Sequence, residues 1–157
     1  TTMDFFPTFL EFSGAKISQK LTIDGKSFSD VLLKNKKSKH DFFYYYAYTH
    51  LQAVRDKDWK LVVPRSKNPD YMKWRGRKIN AVKEVQLFNM KNDKEEQYNL
   101  AEQNPEKVKE LMLLIEEGRE ELGDHNRIGK GARFFDDNPK THRIDEYNKW
   151  KNNQKEN

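Results

Sequence analysis

Few side chains in this sequence have the type and spacing that chemistry needs. Histidine occurs four times, as His40, His50, His125 and His142, and no pair shows the His-x-x-x-His spacing that sets two rings on one helical face. Each therefore reads as an ordinary surface or hydrogen-bonded ring. Cysteine is absent, which excludes disulfides, thiolate-held zinc and thiol catalysis within these residues. Asp93, Glu95 and Glu96 gather in "NDKEEQYN". A calcium loop would place its ligands at alternate positions around a central glycine, so this stretch reads as a solvated turn. "RIGKGAR" lacks the preceding strand and the following Lys-Ser/Thr of a phosphate cradle. What remains is a charged hairpin, "LQAVRDKDWKLVVP", beside an aromatic run, "HDFFYYYAY".

The elements that must position these residues are bounded by composition. A chain of 157 residues supports one modest core and at most one further small element. Charged residues make up 35%, yet 10 Phe, 7 Tyr and 3 Trp need burial, so a globular middle with polar ends is expected. No apolar run reaches the roughly 20 residues of a membrane helix. Net charge is +5, with basic clusters in "KNKKSKH" and between Arg65 and Lys78. Such a surface suits nucleic acid, anionic lipid or sulfated polysaccharide, or is a solvated lysine face with no partner. The start, "TTMDFFPTFLEFSG", has neither the basic beginning nor the small-residue cleavage site of a signal peptide, and reads as the middle of a longer protein.

Residues 4 to 13 predict a short helix, capped by Asp4, with Pro7 in its first turn and Gly14 as its stop. Phe5, Phe6, Phe9, Leu10 and Phe12 make it apolar nearly all round, so this chain alone should cover it incompletely. A loop follows, with a turn at Asp24-Gly25 and an anchor at Val31-Leu32-Leu33. Strands are predicted over 41–47, 50–55, 59–63 and 85–90, the middle two joined as a hairpin by Asp56-Lys57-Asp58. Alternation puts Trp59, Leu61 and Val63 on one face, and Lys60 and Val62 on the other. The clearest helix is 105–122, with Asn104 as cap, Pro105 at its first position, a stripe of Val108, Leu111, Met112, Ile115 and Leu122, and Gly123 as stop. Beyond it an extended polar tail is expected, anchored at Phe134, Phe135, Tyr147 and Trp150.

The fold class is therefore α+β: a small antiparallel sheet of about four strands with a C-terminal helix packed on it. The tyrosines of "FFYYYAY" could stack on bases or sugar rings. Alternation offers the simpler reading, one set in the core while Tyr44, Tyr46 and Tyr48 point the opposite way. From the residues alone this is a basic α+β domain that binds an anion or nothing.

Three segments, in order, resemble the C-terminal third of a type I sulfatase of the arylsulfatase and N-acetylgalactosamine-6-sulfatase kind. The first carries Thr2, Asp4, Pro7, Thr8 and Gly14, followed by Asp24 and Gly25. The second is the hairpin, with Val54, Arg55, Trp59 and Lys60. The third carries Leu87, Phe88, Asp93, Glu96, Asn99, Leu100 and Ala101 ahead of the terminal helix. Together they span roughly residues 1 to 123.

The resemblance implies that 1–40 is the end of a large sulfatase domain, 41–123 its sheet-and-helix subdomain, and 124–157 a polar tail. It implies a parent that hydrolyses sulfate esters of carbohydrates, secreted or periplasmic, although the residues themselves fix no compartment. Formylglycine, made in a Cys/Ser-x-Pro-x-Arg motif, and calcium are expected in the upstream catalytic domain, the partner of this chain; the motif is absent here. The chain alone should be inactive and hold no cofactor. His50, Lys60 and Tyr46 are the candidates for touching a sulfated sugar, because a cation or a polar aromatic suits an anionic carbohydrate. Some relatives carry His where this chain has Val62, so substrate specificity does not transfer directly. The rival expectation is a non-catalytic basic module that binds anionic polysaccharide or nucleic acid; no membrane partner is expected.

Overall fold

The computed structural model describes residues 1–16, 18, 22–67 and 80–132. The anchors expected at Phe134, Phe135, Tyr147 and Trp150, His142, and most of the basic stretch ending at Lys78 lie outside the described residues. Two compact units divide at Phe42/Phe43. No helix among the described residues is long and apolar enough to cross a membrane.

In the first unit a single 3-10 turn, Thr2–Asp4, leads into helix α1, Phe5–Ser13. Gly14 ends α1 at φ +71°, a left-handed conformation that a side chain would resist. Asp4 is not the cap its position suggests. No capping bond forms, and its carboxylate instead accepts the Lys26 N–H and meets His40 Nε2, both at 2.9 Å. Thr8 is the buried contact of α1, its hydroxyl donating to the Asp4 carbonyl at 2.6 Å and accepting the Phe28 N–H at 3.1 Å. Phe5, Phe6, Phe9 and Phe12 stay about half exposed, as the all-round apolar pattern implies. Gly25 is required by close approach rather than by turn geometry, since a Cβ there would sit 2.0 Å from the Met3 carbonyl oxygen. The expected loop anchor fails: residues Ser29–Lys34 form helix α2, with Leu32 59% and Leu33 71% exposed.

The second unit holds the predicted sheet. Strands β1 (Phe43–Ala47), β2 (His50–Arg55), β3 (Trp59–Val62) and β4 (Gln86–Asn89) pair antiparallel in chain order. The β2–β3 turn is fixed by Asp56, whose carboxylate accepts the Asp58 and Trp59 N–H groups at 3.0 and 2.8 Å. Val54, Leu61 and Leu87 stand opposite one another across three strands and are completely buried. Helix α3, Pro105–Glu121, closes over that face with Leu111 and Ile115, also completely buried. Ala53, Val62 and Phe88 form a second buried cluster on the other face, joined by Tyr45, Val82 and Met90.

Four local expectations change. Tyr44 and Tyr46 point toward α3, and it is Tyr45 that faces away. Asn104 occupies the cap position but makes no capping bond, its amide donating to the Leu100 carbonyl at 3.0 Å. Leu122 is 46% exposed, so the buried stripe ends at Gly118. Where an extended tail is expected after Gly123, the chain turns back as a two-residue hairpin, β5 (Gly123–Asp124) with β6 (Arg127–Ile128).

Candidate functional site

A buried polar constellation sits where α3 ends. Gly123 stops the helix at φ +96°, and a Cβ there would lie 2.8 Å from the Gly129 nitrogen, so the hairpin can fold back only on glycine. This return buries Asp124 to 6% exposure. Its carboxylate accepts the Leu51 N–H at 3.1 Å, the His125 N–H at 2.7 Å and Arg119 Nε at 3.0 Å, and meets His125 Nδ1 at 3.0 Å. Burial opposes ionisation, but these bonds to the charged form outweigh it and hold the carboxyl well below the usual carboxylate range.

His50 begins β2 and is 4% exposed, its ring 4.0 Å from that of His125. Its Nε2 is buried with no hydrogen-bond partner. Burial, then the neighbouring His125, lowers its proton affinity and favours the neutral ring. Tyr46 donates its hydroxyl to the Gly123 carbonyl at 2.8 Å, with the Gly118 carbonyl at 3.3 Å. Burial first, and the charge of Asp124 second, push that phenol up to about 12. A cavity of about 260 Å³ opens beside it, lined by Tyr46, Tyr48, Asp124, Arg127 and Gly129 among others.

Lys60 lies elsewhere, on the sheet face turned away from α3. Its ammonium sits 2.5 Å from the Glu96 carboxylate and 4.7 Å from the centre of the Tyr45 ring. Glu96 takes φ +58°, unusual for a side-chain-bearing residue, in a loop held by Asp93, which accepts the Gln97 and Tyr98 N–H groups at 3.0 and 2.9 Å. A lysine ammonium has three donors, so the pair with Glu96 and the Tyr45 ring leave capacity for a further anion.

The structure thus brings His50 and Tyr46 together around Asp124 and sets Lys60 apart from both. Asp124, His125, Arg119 and Glu96 are absent from the sequence-derived candidates, because Asp124, His125 and Glu96 meet Leu51, His50 and Lys60 only through contacts distant in sequence, and Arg119 joins them through Asp124. Among the described residues no group of three or more His, Asp or Glu side chains is arranged to hold a metal ion.

Residues 38–137 match the family defined by the C-terminal region of aryl-sulfatase. The chain belongs to the sulfatase family. It is similar to the N-acetylglucosamine-6-O-sulfatase of Bacteroides thetaiotaomicron, at 28% identity over 146 residues that cover 85% of this chain and 23% of that protein. A structure solved in work on the metabolism of multiple glycosaminoglycans by that organism shares the fold, with a TM-score of 0.57, 23% identity, and coverage of 73% of this chain and 24% of that one. A second structure, solved in complex with its substrate D-glucosamine-2-N,6-O-disulfate, has a TM-score of 0.50 and 29% identity over 74% of this chain and 23% of that one. The sulfatase region described here therefore spans about a quarter of the length of its relatives. Its sheet, with α3 on one face, is the C-terminal sulfatase subdomain.

Proposed function

We propose that the complete protein hydrolyses a sulfate ester on an aminosugar, and that this region supplies binding contacts while the upstream catalytic domain supplies the chemistry. The observation that carries the reading is the similarity to an N-acetylglucosamine-6-O-sulfatase along 85% of the chain. The likeness to a protein solved with a sulfated glucosamine supports it. Formylglycine as nucleophile and calcium as the sulfate-binding ion belong, in this reading, to the upstream domain.

Within this region Lys60 is the residue proposed to meet the substrate anion. Glu96 and Tyr45 fix its ammonium in place, which reduces the side-chain entropy lost on binding. His50 and Tyr46 are proposed to support the substrate pocket by holding the α3 terminus, since burial and the carbonyl bonds occupy them. The test is release of inorganic sulfate by the complete, matured protein. Sulfate release from N-acetylglucosamine 6-sulfate is expected. Release from a small aryl sulfate with none from any sulfated aminosugar would contradict the substrate assignment.

A further inference from the structure

Two imidazoles share one confined space at the start of β2. The His50 ring is buried 4.0 Å from the His125 ring, and its Nε2 has no hydrogen-bond partner in either tautomer. The charged groups linked to the pair are Asp124 of β5, Arg119 and Glu116 of α3, Arg127 of β6, and Arg65 beyond β3. With both rings neutral, Asp124 and Glu116 offset Arg119 and Arg127, and Arg65 is the unbalanced charge. Protonating His50 adds a buried positive charge beside Arg65 and places an N–H where no acceptor exists, whereas a proton on His125 would be met by the Asp124 carboxylate at 3.0 Å.

The hairpin those rings hold is attached by polar contacts. Leu51 N–H and Arg119 Nε reach Asp124, Tyr46 reaches the Gly123 carbonyl, Arg127 pairs with Glu116, and the Lys130 and Gly131 N–H groups donate to the Glu120 and Glu121 carbonyls at 2.7 and 2.8 Å. The central core of Val54, Leu61, Leu87, Leu111 and Ile115 contains no titratable group. Local opening at the hairpin therefore needs far less disruption than opening of the sheet.

We propose that the His50–His125 pair is an acid-release latch, in which protonation of the buried His50 ring frees the β5–β6 hairpin from the start of β2 while the sheet and α3 stay folded. Linkage gives the sign. Burial, followed by the charges of His125 and Arg65, favours neutral His50 in the closed form, whereas an exposed ring titrates near its ordinary value of 6.5. The open form then binds more protons below that pH, so opening grows as pH falls.

Amide hydrogen exchange on the full chain, followed residue by residue from pH 7.5 to 5 and corrected for intrinsic chemistry, tests this. The opening constant at Leu51, Lys130 and Gly131 should rise by up to about tenfold per pH unit for each proton taken up on opening. Leu111 and Ile115 should keep their protection. His50→Gln should abolish the pH dependence at Leu51. His125→Asn, at a partly exposed position, removes the ring that confines His50, lets solvent reach its Nε2, and should lower the slope even if the first variant fails to fold. A pH-independent opening constant, an unchanged slope in His125→Asn, or loss of Leu111 and Ile115 protection in step with Leu51 would each overturn the latch.

Discussion

Tyr44 of β1 lies flat against Gly118 of α3, its hydroxyl donating to the Leu114 carbonyl at 2.9 Å. A Cβ at residue 118 would approach two atoms of that ring to 2.9 Å. Alanine is the better helix former by about 1 kcal/mol, but overpacking of this kind costs about 1–3 kcal/mol. The ring cannot swing away without breaking its hydroxyl bond. Gly118→Ala is therefore expected to lower the urea midpoint of the chain. A raised midpoint would show that the ring yields easily.

Leu111 and Ile115 place the helix on the sheet, and both are completely buried. Truncating either to Ala removes apolar contacts and leaves a cavity, at a cost of about 2–5 kcal/mol. Urea or thermal unfolding measures it directly. An unchanged midpoint in both variants would mean that α3 does not pack as described.

Asp124 binds Arg119 and two backbone N–H groups from a buried position. Asp124→Asn keeps an acceptor but removes the charge beside Arg119, and is expected to cost about 2–3 kcal/mol near neutral pH, because Arg119 is partly exposed. The folded carboxyl titrates below its ordinary value of 3.8, so its contribution is full above that pH and is lost as pH falls toward the folded value. The stability gap between the parent chain and Asp124→Asn should accordingly narrow below about pH 4. Urea titrations across pH 3 to 7 check the trend, and a gap constant across that range would contradict it.

The sheet and α3 are legible in the sequence because alternation and a 3.6-residue stripe are local patterns, and Asp56 and Gly123 mark their own turns. Other features depend on partners far along the chain. Asn104 and Asp4 both have good cap chemistry, yet each side chain is drawn to another bond, to Leu100 in one case and to Lys26 and His40 in the other. Alternation does set Tyr44 and Tyr46 on one face and Tyr45 on the other, but which face α3 covers is decided only by packing distant in sequence. His50 carries no local sign of burial. Only the return of Asp124 and His125 over it, past Gly123, encloses the ring.

The proposed role of this region rests most directly on Lys60, whose ammonium is held by Glu96 on the face turned away from α3. A fixed cation remote from the sulfur under attack strengthens ground-state and transition-state binding alike, so its loss appears in KM and not in kcat. In the complete, matured protein, Lys60→Ala is expected to raise KM for N-acetylglucosamine 6-sulfate by about two- to fivefold, the range for a partly screened ion contact, with kcat nearly unchanged. A small aryl sulfate, too short to reach the hairpin, should be affected less. Equal changes for both substrates, or no change for either, would contradict the account and leave Lys60 a structural lysine bound to Glu96.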